Sequence, residues 1–524
     1  MTTRHAARPG TVYLVGAGPG NDGLVTRRAL ELVESADVLL VDRLIPRELR
    51  DHARSDAQVV EVGKTAGDHA MPQEEINDRL VAEALAGNAV VRVKGGDPYL
   101  FGRGGEEAMR CRAAGVPFEV VPGVTSAFAA CAAAGIPVTH RDLSRHVTVV
   151  TASAGRDGQG DPDYAWLART DGTLVLLMGL RRVAHVAEQL IAGGMSPSRP
   201  AAVISRGTTA TQRVVTASLQ SLGDAVERAQ LASPAIIVIG DVVELREHLD
   251  WFERRPLFAT KVAVTRARAQ ASDLVQRLTD LGARVVEVPA IRTELLDPAP
   301  LDSIIDQLSS VDTVLFTSRP GVDAFFSRLA QRGLDARALG NVSHVGVVGQ
   351  GTADACQSHG IVADVIPPVG ARTAVGLLAE LQKLPLFGTT CAIIRAERGD
   401  DRLREGLEGI DVNVLFAPVY RTVVDPATPE QVEGLLDADV VTFTSESTVR
   451  NAYAMLPPGS IMPPCVTIGP TTTAAALAAG IRVLQEAVDP SIDALVDALV
   501  DRALDNEGAR PWRHAAASAP TVTA

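Results

Sequence analysis

VRVKGGDPYLFGRGGEE, Val91–Glu107, is the stretch that decides how the first half of the chain is read. It opens as a short apolar strand with Val91 and Val93 on one face, because strand side chains alternate. The strand breaks at Gly95-Gly96-Asp97-Pro98. After Tyr99-Leu100-Phe101 it breaks again at Gly102-Arg103-Gly104-Gly105. Five glycines in eleven residues are costly, since each gives up about 1 kcal/mol of backbone entropy relative to alanine in a regular element. A chain carries that cost where backbone must come close to a ligand. Glu106 then starts a helix, which sets Arg103 and Glu106 beside a helix N-terminus. A Gly-rich turn of an ordinary βα unit has the same local spelling.

The 524 residues exceed what one core serves and point to roughly two to four domains. A hydrophobic share of 46% with 22% charged residues is ordinary globular composition. Net charge −13 and an isoelectric point near 5.3 argue against nucleic acid as a partner, because that requires a basic footprint. An anionic substrate must then be held by local cations against the overall field. Cys111, Cys131, Cys356, Cys391 and Cys465 are scattered without a CxxC pair. Neither a disulfide framework nor a metal site is expected. The start, MTTRHAARPG, has no apolar signal core, and no apolar run approaches the roughly 20 residues of a membrane span. The expectation is a cytoplasmic protein with no membrane partner. Arginine supplies nearly all the positive charge; the only lysines are Lys64, Lys94, Lys261 and Lys383.

Upstream, residues 11–45 give strand, glycine turn, helix and strand, with Leu24, Ala29, Leu32 and Val33 at helical spacing. Gly18, Gly20 and Gly23 spell GxGxxG, and Asp42 ends the next strand. Alone, that is a dinucleotide fingerprint with the acid placed for a ribose hydroxyl, although Pro19 stiffens the turn. VGKTAGDH (62–69) and MPQEEIN (71–77) follow, then the Val91–Glu107 stretch. In FEVVPGVTSAFAACAAAGIPVTHRD (118–142) a strand ends at Pro122-Gly123, and Thr125 and Ser126 start an Ala-rich helix as N-cap candidates. TLVLLMGL (173–180) is a buried strand ending in Met178-Gly179. VISRGTTATQRVV (203–215) reads as strand, polar loop, strand.

In order and spacing, these motifs resemble uroporphyrinogen-III C-methyltransferase over about residues 10–250. The resemblance implies the two-lobed α/β tetrapyrrole methylase fold and a homodimer, with S-adenosylmethionine bound in the cleft between the lobes. Carried over motif by motif, Pro19, Gly95, Gly96, Asp97, Leu100, Thr125, Ser126, Met178 and Gly207 surround the methyl donor. Donor recognition through backbone N–H and C=O suits glycine where a side chain would block approach. By resemblance Arg103 and Arg141 anchor the carboxylates of the macrocycle, for which arginine forks are suited. Methylation leaves a proton to be lost, so a base is needed. The resemblance puts forward Asp42 and Lys64 as proton acceptor and donor, with Glu106 a rival base. Independently, a chain that otherwise prefers arginine has lysine at 64, and only lysine can be tuned to exchange protons near neutrality.

ELREHLDWFERR (244–255) is a charged amphipathic end interrupted by Pro256. The expected division is a tail 1–10, a methyltransferase domain 11–250, a linker 251–257, a second domain 258–505 and a disordered tail 506–524. From Lys261 onward α/β units recur. LFTSRPGVDAFF (315–326) echoes TFTSESTVRNAY (442–453), and VGVVGQGTADACQSHG (345–360) echoes VTIGPTTTAAALAAG (466–480). Two copies of a strand–loop–helix pair suggest two similar lobes facing a cleft, with hydroxyls and N–H groups offered to an anion.

Through VTRA, FTS, VGQGTA, IIRAERGDDRLREGL, APVYRT, FTSESTV and IGPTTTAAALAAG, residues 258–505 resemble uroporphyrinogen-III synthase. The resemblance implies two α/β/α lobes, 258–291 with 424–505 and 292–423. VPAIRTELL (288–296) and APVYRTVVD (417–425) form the two-stranded connector. It also implies no cofactor: hydroxymethylbilane is closed to a ring with its last pyrrole inverted, through a cationic azafulvene and a spiro intermediate. Tyr420 falls on the family's tyrosine, which hydrogen-bonds or protonates the departing hydroxyl. Thr352, Thr471 and Thr472 match its cleft threonines, and Ser318, Ser445 and Arg395 are candidate anion contacts.

Together the halves imply a bifunctional enzyme of the sirohaem and cobalamin branch. It makes uroporphyrinogen III and methylates it twice to precorrin-2. A non-catalytic, ligand-binding second half is one alternative, and a nicotinamide oxidoreductase is the other.

Overall fold

The computed structural model describes residues 6–43, 45, 47–63, 71–153, 160–266 and 268–504. Lys64 and the tail 506–524 lie outside them. The chain divides between Ala259 and Thr260 into two compact units.

The first unit holds two sheets. Strands β1 (Val12–Gly16), β2 (Val38–Val41), β3 (Gln58–Glu61), β4 (Val90–Lys94) and β5 (Phe118–Val121) form a parallel sheet in the order β3-β2-β4-β1-β5. Helices cover both faces, so β1, β2 and β4 are buried throughout and read as near-continuous apolar runs. Alternation sends Tyr13 and Val15 to one core and Val12 and Leu14 to the other. Strands β6 (Val147–Thr151), β7 (Thr173–Leu177), β8 (Pro200–Ser205), β9 (Arg213–Ser218) and β10 (Ala235–Ile239) form the second sheet, order β6-β7-β10-β8-β9, parallel only between β6 and β7. Helix Ser126–Ala133 packs against it through Ala127, Ala130 and Cys131.

The stretch expected as a linker, 251–257, is packed onto this unit. Phe252 is buried with Phe258 against Ala133, and the Trp251 Nε1–H donates to the Ala132 carbonyl at 3.0 Å. The described end of the expected tail is held too: the Ala7 N–H donates to Ser35 Oγ at 2.9 Å.

The second unit also holds two sheets. One, order β12-β11-β18-β19-β20, is parallel and combines β11 (Lys261–Val264) and β12 (Arg284–Glu287) with β18 (Val440–Phe443), β19 (Cys465–Thr467) and β20 (Val483–Glu486). The other, order β13-β17-β16-β14-β15, is built from β13 (Ile291–Leu295), β14 (Thr313–Phe316), β15 (His344–Val347), β16 (Thr390–Ala396) and β17 (Asn413–Val424). The chain passes between the sheets at β13 and β17, an antiparallel pair registered from Ile291 opposite Val424 to Leu295 opposite Tyr420. The repeated motifs superpose in role. β14 and β18 each lead into a helix capped by a serine, Ser318 or Ser445. β15 and β19 lead into helices that follow Gly349 and Gly469 and have no side-chain cap.

Candidate functional site

In the first sheet all five strands run the same way, so the ends of β1, β2, β4 and β5 share one edge, where open α/β sheets bind ligands. Gly18 and Gly96 form an isolated bridge there, the Gly96 N–H donating to the Gly18 carbonyl at 2.7 Å. A Cβ on Gly16 would lie 2.5 Å from the Gly96 oxygen, and one on Gly123 would run into the same atom. Backbone touches backbone here, and only glycine permits it. Asp97 straps the contact, its Oδ2 accepting from the Gly123 N–H at 3.1 Å and its Oδ1 from the Tyr99 N–H at 2.8 Å. At Gly95 a Cβ would meet nothing within 4 Å. Packing therefore does not explain that glycine, which stands open beside the contact.

Around this cradle the structure gathers most of the expected donor-pocket residues. Pro19 follows Gly18, and Thr125 and Ser126 lie next to Gly96. Thr125 caps its helix, accepting from the Ala127 N–H at 3.3 Å. Leu100 is half-buried in the loop, its N–H donating to Asp97 O at 3.3 Å. From the second lobe the Gly207 loop closes in, with Asn21 Nδ2 donating to Thr208 O at 3.4 Å. Gly207 itself is pressed against Ala130. Met178 stands exposed at the end of β7 with φ 58°, a left-handed conformation that costs a non-glycine residue about 1–3 kcal/mol and clusters at ligand sites.

The dinucleotide fingerprint fails on shape. Gly23 lies in a one-turn 3₁₀ segment, Asp22–Leu24, and the helix begins only at Arg27, capped by Thr26. No glycine of the motif therefore opens a helix toward a pyrophosphate, as that fingerprint requires.

Asp42, half-buried at the end of β2, is held by Arg92, whose Nη2 donates to Oδ1 at 2.5 Å. Beneath it lies a buried chain of charges that the motifs did not announce. Arg92 Nε donates to Glu107 Oε1 at 3.1 Å, and Lys94 Nζ to the same oxygen at 2.9 Å. Burial, and after it the Arg92 charge, push the Lys94 ammonium below its ordinary value. The available signal was charge on an apolar strand, VRVK, where each cation needs an inward partner. Arg103 and Glu106 lie in the open and hold each other in a fork, Nε to Oε1 at 2.8 Å and Nη2 to Oε2 at 2.6 Å. That hydrogen bond raises the Arg103 guanidinium further. Arg141 is exposed in a loop closed by His140 and Ser144.

In the second unit Tyr420 is buried and its hydroxyl donates to Ser318 Oγ at 2.9 Å. Burial pushes the phenol up. Thr352 is buried in the first turn of helix Gln350–Ser358. Thr471 and Thr472 open helix Pro470–Ala478 in the other lobe, Thr471 exposed and Thr472 buried. Arg395, a candidate anion contact, is turned into its own loop, donating to Asp400 O at 2.6 Å and Asp401 Oδ1 at 2.5 Å. Ser445 bonds within its capping box. A cation that the motifs did not single out is Arg266, just beyond β11, which burial and the nearby charge of Arg319 push down. Among the described residues no cluster of metal ligands occurs, and no helix is long and apolar enough to cross a membrane.

Comparison with known proteins agrees with this division. Residues 11–223 match the family model of tetrapyrrole (corrin/porphyrin) methylases, and residues 272–497 match that of uroporphyrinogen-III synthase HemD. The porphyrin biosynthesis protein HemD of Ruminiclostridium josui is 36% identical over 485 residues, covering 90% of this chain and 94% of that protein. The uroporphyrinogen-III C-methyltransferase of Bacillus subtilis is 40% identical over 375 residues, 70% of this chain and 76% of that protein. A solved uroporphyrin-III C-methyl transferase from Thermus thermophilus, complexed with S-adenyl homocysteine, is 40% identical over 45% of this chain and 99% of its own, with a TM-score of 0.40. A methylase half and a synthase half in one chain, shared along nearly the whole length of a relative, place this protein in the family that fuses uroporphyrinogen-III C-methyltransferase to uroporphyrinogen-III synthase, bifunctional enzymes of tetrapyrrole biosynthesis.

Proposed function

We propose that the second unit closes hydroxymethylbilane to uroporphyrinogen III and that the first methylates this product twice, with S-adenosylmethionine, to precorrin-2. The observation that carries the reading is the Gly16–Gly96–Gly123 contact, with Gly95 left open beside it at the strand ends. The donor supplies an electrophilic methyl group, and the macrocycle supplies a carbon nucleophile. What remains for the chain is proximity and alignment, which can lower a barrier by up to about 7–11 kcal/mol. Pro19, Gly95, Gly96, Asp97, Leu100, Thr125, Ser126, Met178 and Gly207 hold the donor. Arg103 and Arg141 take carboxylates of the macrocycle, Arg103 sharing its fork with Glu106. Asp42 accepts the proton lost after methyl transfer, and Lys64 returns one. The unit works as a homodimer in the cytoplasm.

In the second unit a raised phenol stays protonated at neutral pH, so Tyr420 can donate toward the hydroxyl that leaves. Thr352, Thr471 and Thr472 add N–H and hydroxyl donors at the starts of their helices. This unit needs no cofactor. Supplying hydroxymethylbilane and S-adenosylmethionine and identifying the product by mass and isomer tests both activities together. The expected product is dimethylated type III. Unmethylated material refutes the first half of the proposal, and type I material refutes the second.

A further inference from the structure

Arg92 uses every edge of its guanidinium. Its Nη1 donates to the Leu40 and Val93 carbonyls at 3.3 and 3.1 Å, its Nε to Glu107 and its Nη2 to Asp42. The side chains of Arg92 and Lys94 are each 3% exposed and that of Glu107 is 0% exposed, whereas Asp42 is 35% exposed. Only the last member of the chain reaches solvent at the strand ends. Fixing helix Gly104–Ala113 to β4 needs no more than Glu107 with Lys94. Apolar side chains would do it at lower cost, because burying ion pairs is seldom stabilising relative to hydrophobic packing. The branch from Arg92 out to Asp42 is therefore in excess of what the fold needs. Its guanidinium is anchored on two carbonyls and one buried carboxylate, so the Nη2–H offered to Asp42 has a fixed position and direction.

We propose that Arg92, gripped from beneath by Glu107, is a positioning residue that holds the Asp42 carboxylate where it takes the proton from the methylated macrocycle. The inference rests on the reading of Asp42 as the proton acceptor. A lysine at 92 keeps the charge but has no fork to span Glu107, two carbonyls and Asp42. In the full chain, Arg92→Lys is expected to lower the kcat of methylation of uroporphyrinogen III about 10- to 100-fold, the size of a misplaced catalytic group. The KM values for both substrates and the calorimetric affinity for S-adenosylhomocysteine should stay within about twofold. Unchanged kcat overturns the proposal. So does a fall in kcat matched by the loss of S-adenosylhomocysteine affinity, which marks a damaged core. Should Arg92→Lys not accumulate as folded protein, the near-isosteric Glu107→Gln takes its place, since it loosens the guanidinium without touching Asp42, and is read by the same criteria. Asp42→Asn separates the two layers. If it keeps full kcat, the proton-acceptor reading fails and this inference with it; if it is crippled while Arg92→Lys is not, the inference alone fails.

Discussion

Tyr420 donates its hydroxyl to Ser318 from a site where burial raises the phenol, so near neutrality it is a proton donor and not a phenolate. Tyr420→Phe keeps the packed ring and removes only the donor. It should slow ring closure about 10- to 100-fold, toward the lower range of acid–base contributions, with the type III isomer still formed. Initial rates on hydroxymethylbilane check this. Gly123 is the opposite kind of residue, important for what it lacks. A Cβ there runs into Gly96 O and crowds Gly16. Gly123→Ala should cost about 1–3 kcal/mol by overpacking and abolish S-adenosylhomocysteine binding, measured by denaturant melts and calorimetry. Glu106 and Glu107 mark the limit of reading residues one at a time. They are adjacent and identical in type, yet one pairs in the open with Arg103 and the other is fully buried. Helix phase against β4 decides which is which, and the spelling GGEE does not contain it.

Among the elements, the two serine-capped helices of the second unit allow a controlled comparison. Ser318 accepts from the Gly321 N–H, and Ser445 from the Thr448 N–H within a capping box. Replacing either by alanine should cost about 1 kcal/mol of stability, the usual worth of an N-cap. Only Ser318→Ala also removes the partner of Tyr420, so cyclisation should slow in that variant and not in Ser445→Ala. The strand–helix repeats behind this were legible, because hydrophobic runs and Ser/Gly breaks are local properties. That β13 pairs with β17 across more than a hundred intervening residues was reached only through family resemblance, since no local pattern encodes a partner.

For the whole molecule, the segment 251–259 belongs energetically to the first unit. Residues 1–259 should fold alone. Ending at 250 removes Phe252 and Phe258, which are buried against Ala133 and worth about 1.5–3 kcal/mol each, and should lower the melting temperature sharply. All five cysteines are buried. Burial pushes Cys131, Cys391 and Cys465 up to about 12 and Cys111 and Cys356 to about 11 from an ordinary 9.0. Native protein should therefore resist maleimide at pH 8 and react only when unfolded. Because the folded thiols hold their protons more tightly than the unfolded ones, the associated stability is complete below about pH 9 and is lost as pH rises through 11 to 12. Denaturant midpoints measured between pH 7 and 11 check the direction.

The amino-acid sequence by itself determined the recurring α/β units and the glycine breaks between residues 95 and 105; that Gly16, Gly96 and Gly123 meet backbone to backbone came only with the fold. Strand periodicity and the intolerance of close backbone contact for any Cβ leave their mark on residue type. Tertiary structure alone decided that Trp251–Leu257 is packed rather than free, that Arg395 faces inward, and that Asp42 stands on a buried chain through Arg92, Glu107 and Lys94. Each of these depends on which distant group is brought opposite, and burial gives a charge its meaning only once the chain around it has closed.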